Sequence, residues 1–113
     1  MCTALPGRPQ NVSARELSAG SCEVLVEWIP PNNTDSAGSR IDHYVIYTPS
    51  LDRMDTSDIA RFVINIPNCR NSIIVIQIAA VNSIGCEGLS SDGISPTLLP
   101  LPPTPDTQTP GKY

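Results

Sequence analysis

The chain is short of aromatic rings, of positive charge and of histidine. With one Trp, one Phe and three Tyr in 113 residues, its loops lack the cluster of exposed aromatics that a receptor hot spot uses. Seven Lys and Arg stand against eleven acidic residues, a net charge of −4, so no basic patch is available for phosphates and no nucleic acid is expected as a partner. The single histidine, His43, sits among alternating strand positions with no nucleophile beside it, which argues against a triad enzyme. No C-x-x-C occurs and His43 is far from every cysteine, so zinc-ligand spacing is missing. No apolar run approaches the ~20 residues needed to cross a bilayer, and direct membrane insertion is not expected. The start, Met1 to Pro6, lacks the basic end and apolar middle of a secretory signal. No convincing amphipathic helix appears.

What is present is strand. Val24, Val26 and Trp28 recur every second residue, with Leu25, Glu27 and Ile29 on the other phase, and Pro30-Pro31 ends the run, since neither proline can donate to a ladder. The only tryptophan on a buried phase marks the centre of a small all-β core. Val12 to Leu17 is a weaker strand before it. After it come Ile41 to Thr48, with Tyr44 and Ile46 on one face, then Leu51 to Ser57 as a short edge. Ile59 to Ile66 follows, with Phe62, Ile64 and Ile66 in phase. Ile73 to Val81 is apolar on both faces, Ile74, Ile76 and Ile78 on one of them, which suits a covered central strand. Leu89 to Ser95 is a last, weak strand.

Seven short strands spaced by turn signals predict an antiparallel β-sandwich. Its bounds are 9–96, after a lead-in over 1–8 and before a Pro- and Thr-rich linker over 97–113. Four cysteines, Cys2, Cys22, Cys69 and Cys86, are an even set in a small loop-rich domain and favour two disulfides in an oxidising compartment.

The combination of Val24 to Pro31, Ile41-Asp42-His43-Tyr44-Val45-Ile46-Tyr47 and Ala80-Val81-Asn82-Ser83-Ile84-Gly85, in this order, resembles a fibronectin type III domain. The resemblance covers about Pro9 to Ser95 and implies an immunoglobulin-like sandwich. In that topology the second and fifth strands are sheet neighbours, which implies that Cys22 pairs with Cys69 and leaves Cys2 to join either Cys86 at the opposite pole or a neighbouring domain. One departure is clear. The family's tyrosine at the start of the sixth strand, whose hydroxyl anchors the preceding turn, falls on Ile74, and the Cys22–Cys69 bridge is expected to take over that anchoring. The family's integrin-binding Arg-Gly-Asp is absent.

Candidate sites follow. Catalytic residues, cofactors and metal ligands are not expected, because the carboxylates are dispersed and Asp52, Asp55 and Asp58 read as a solvated turn. Two sequons, at Asn11 and Asn32, are candidate N-glycosylation positions. The loops 30–40 and 82–88 share one pole, where recognition commonly sits. Val45, Tyr47, Ile73 and Val75 form the outward phase of the central strands, either an apolar contact face or a surface covered by Lys and Arg stems and the last strand. Pro100-Leu101-Pro102-Pro103 fits P-x-x-P but reads better as a stiff spacer.

The resemblance implies a non-catalytic extracellular spacer and protein-interaction module of a larger cell-surface or adhesion protein. Its partners are then the neighbouring domains of its own chain and an unidentified protein ligand. Three alternatives are a ligand-binding domain of a cytokine-receptor or receptor-kinase/phosphatase type, an accessory linker domain of a secreted carbohydrate-active enzyme, and an intracellular muscle-type module with reduced thiols.

Overall fold

The inward phases of the strands meet between two sheets that close face to face over a buried core. The computed structural model describes Cys2 and residues 5–31 and 40–101. Among these are six strands: β1 Gln10–Glu16, β2 Glu23–Ile29, β3 Ile41–Thr48, β4 Arg53–Ser57, β5 Arg61–Asn65 and β6 Gln77–Asn82. One sheet has the order β1-β2-β5 and the other β4-β3-β6, every pairing antiparallel. Between them lie Val24, Val26, Trp28, Tyr44, Ile46, Ile64, Ile66, Ile74, Ile76 and Ile78, all buried. Trp28 meets the Tyr44 ring edge-on at 5.1 Å between centroids, a favoured aromatic geometry.

Several expectations need correction. Phe62 is in the inward phase but only partly buried, near the start of β5, whereas Ile64 two residues further in is fully buried. β1 begins at Gln10, where Asn11 takes a left-handed φ of 51° and the register shifts before Ser13, a bulge geometry that asparagine tolerates. The long run Ile73 to Val81 is strand only from Gln77. Gln77 pairs with Tyr47, and one residue beyond Tyr47 the partner strand ends at Thr48 and turns away through the 3₁₀ turn Pro49–Leu51.

No regular seventh strand forms among the described residues. Residues 86–94 do run along β6, with backbone bonds from Gly88 N to Ala80 O and reciprocally between Ile76 and Ile94. Midway, however, the Ile78 N–H is taken by the Ser91 hydroxyl at 2.9 Å. A side chain occupying the place of a backbone carbonyl interrupts the ladder. The C-terminal segment is held by the fold as far as residue 101. Thr97 bridges Arg15 in parallel, with Glu16 N donating to Thr97 O and Thr97 N to Ala14 O, each at 2.9 Å.

Candidate functional site

At one end of the sandwich β2 and β5 finish side by side. Glu23 pairs with Asn65, and the Ile66 N–H donates to Cys22 O at 3.0 Å. That register sets Cys22 opposite the turn after β5, where Asn71 N closes on Asn68 O, and the two sulfurs of Cys22 and Cys69 are bonded. Ile74, where the resemblance leads one to look for a tyrosine, is an apolar core residue 3% exposed. It has no hydroxyl to anchor the turn that the disulfide holds.

Beside this bridge lies a group that pattern reading missed. Glu16 follows Val12 and Ala14 on the inward phase of β1 and is 1% exposed. Its Oε2 accepts from Cys22 N at 2.8 Å and Arg70 Nη1 at 2.9 Å, and its Oε1 from Arg70 Nη2 and Leu99 N. A buried carboxylate is tolerable only with such a set of donors. The Arg70 guanidinium and these backbone N–H groups hold its pKa down at about 2. The signal was in the sequence: a glutamate at an apolar phase position. Glu16 also lies within 4.8 Å of both sulfurs, but sulfurs joined to each other offer no thiolate to a metal.

The opposite end carries Cys2–Cys86. Buried Asn82 shapes the loop after β6, its Oδ1 accepting from Ile84 N and Cys86 N. The Ser83 N–H donates to Arg40 O at 2.8 Å, so the end of the loop over 30–40 and the loop over 82–88 do share this pole. The lead-in packs here too. A Cβ on Gly88 would stand 2.1 Å from Pro6 O, so only glycine allows that close approach.

The outward face of the β4-β3-β6 sheet is covered along β6 and open along β4, where Met54 is exposed. Val45 is 6% exposed, Tyr47 and Val75 are half-buried, and Ile73 alone of the four is open, at 84%. The Tyr47 hydroxyl donates to Glu87 Oε2, joining residues that pair with opposite sides of β6, so this bond passes over fully buried Ala79. The carboxylate beside it pushes the Tyr47 hydroxyl up to about 12, with desolvation adding to the effect. Val75 is closed by the last segment: a Cβ on Gly93 would lie 2.6 Å from its Cγ1.

The remaining candidates are scattered. Asn11 is exposed at the β1 bulge, while Asn32 lies outside the described residues, as do Pro102 and Pro103 of the P-x-x-P stretch. His43 Nδ1 contacts the neighbouring Asp42 carboxylate at 2.8 Å, and Asp55 accepts from Arg53 Nε at 2.9 Å. No helix among the described residues is long and apolar enough to cross a membrane.

Two antiparallel sheets facing each other over a Trp-centred core, with the β2–β5 pairing described, define an immunoglobulin-like β-sandwich. Solved structures share it. The chain is similar to titin kinase with its flanking domains, at 20% identity and a TM-score of 0.62, over 80% of this chain and 16% of that one. It is also similar to a run of domains from titin, at 18% identity and a TM-score of 0.52, over 80% of this chain and 32% of that one. Likeness at these identities is likeness of fold. No family model matches the sequence, and no curated protein does.

Proposed function

We propose that the chain is a fibronectin type III-like, non-catalytic module of a larger extracellular or cell-surface protein. It holds its two ends apart and presents its loop pole to a protein ligand. The observation that carries this reading is the placing of two disulfides, one at each end of the sandwich, since such bonds persist in oxidising compartments. The fibronectin type III assignment draws further support from β4. It pairs with β3, whereas the fourth strand of a constant-type immunoglobulin domain joins the other sheet. Asn11, exposed at a bulge, and Asn32 would carry N-glycans in that setting.

Intact mass after alkylation tests the compartment. The secreted protein takes up no alkylating agent until reductant is added, and then takes up four equivalents, one for each cysteine in the sequence. Four reactive thiols before reduction would overturn the extracellular reading in favour of an intracellular module. Ligand contact is tested by substitutions in the 82–88 loop, which should weaken capture of a cell-surface partner where changes on the covered outer face do not.

A further inference from the structure

We infer that the Glu16–Arg70 ion pair is a latch that docks the segment 97–101 onto β1 and so fixes the direction in which the chain leaves the domain. Composition places the end of the domain at Pro96; the hydrogen bonds place it beyond Leu99. The backbone of Leu99 is held on both sides by this one pair: its N–H donates to Glu16 Oε1 at 3.0 Å, and its carbonyl accepts from Arg70 Nη2 at 2.7 Å. The pair thus does for Leu99 what the backbone of β1 does for Thr97, and extends the parallel pairing past the last residue of β1. Leu101 is packed close as well, its Cδ2 lying 3.4 Å from where a Cβ on Gly20 would be.

The latch is prearranged by groups outside the segment. Arg70 follows Cys69 directly, and its Nη1 lies 3.5 Å from Cys69 Sγ and 3.8 Å from Cys22 Sγ. The Cys22 N–H shares Glu16 Oε2 with it. Carboxylate and guanidinium are therefore already oriented when the segment arrives, and a charged partner strengthens a hydrogen bond to a backbone group. Two prolines, Pro96 and Pro100, lower the entropy lost when the segment is laid down extended. The role inferred for Glu16 and Arg70 is one of positioning and does not depend on which protein the module binds.

Residue-resolved amide exchange on the full 113-residue chain tests the latch. Two variants are compared with the parent: Leu99→Pro, which removes the segment's N–H donor and fixes φ there while keeping its carbonyl, and Glu16→Gln/Arg70→Met, which removes both charges while keeping the stems. In each, protection of the Thr97 amide should fall by about tenfold or more, the loss expected for a charge-assisted bond, while Val24 and Val26 in β2 keep theirs. Unchanged protection at Thr97 in either folded variant overturns the latch. So does an equal fall at Thr97, Val24 and Val26 in both, since the pair would then be a general stabiliser of the sandwich.

Discussion

Removing the Cys22–Cys69 bridge by Cys22→Ala/Cys69→Ala tests how the domain manages without a tyrosine corner. The bonded residues are 47 apart in sequence, and on the chain-entropy model closing a loop of that length stabilises the fold by about 4 kcal/mol. For a domain of this size each kcal/mol moves the melting midpoint by roughly 4–8 °C, so the double variant should melt about 15–30 °C below the parent. Urea unfolding should also show a larger m-value, because the released denatured chain exposes more surface. The clearest assay is paired calorimetry and urea titration, with Cys2→Ala/Cys86→Ala as control. The control's bridge spans 84 residues, and the same model assigns it about 4.5 kcal/mol. If the Cys22–Cys69 variant melts within a few degrees of the parent, the bridge is not the anchor of the turn after β5, and the compensation argument fails.

Acid should act through Glu16. Its folded pKa, about 2, lies below the ordinary carboxylate value of 4.5, so its contribution is full above the latter and lost as pH falls toward the former; an acid titration of stability should fall in that window, and less steeply in Glu16→Gln/Arg70→Met. Alkali should act through Tyr47, whose pKa is raised from 10.0 to about 12. The sign is opposite: the stabilisation is present below pH 10 and disappears toward 12, and Tyr47→Phe should flatten that limb of the stability profile. Gly93→Ala should destabilise by about 1–3 kcal/mol through collision with Val75, measured by urea unfolding; a neutral result would mean that the 86–94 segment can shift away from β6.

Alternation made most of the sandwich legible. Val24, Val26 and Trp28, and likewise Tyr44 and Ile46, face the core because a pleated chain offers no other arrangement for that spacing. The breaks were harder to see, since they depend on tertiary partners. Nothing local to Ile73 says that β3 stops one residue past the partner of Gln77, and nothing local to Ser91 says that its hydroxyl replaces a ladder carbonyl. The outward phase of Val45, Tyr47 and Val75 was identified, but its cover comes from Glu87 and the backbone at Gly93, contacts between residues far apart in sequence. Glu16 was readable as an anomaly of phase, whereas its partner Arg70, 54 residues away, was not.

The occupied margins of the two sheets bear on how such units tolerate crowding. The 86–94 stretch lies along β6 and Thr97 sits on β1, so among the described residues the margins left open are β4 and β5, the two shortest strands at five residues each. Both begin with arginine, and β4 adds an aspartate; brief, charged margins are poor templates for a foreign strand. Copies strung closely together, or a concentrated solution of one, should therefore resist zipping edge to edge into aggregates.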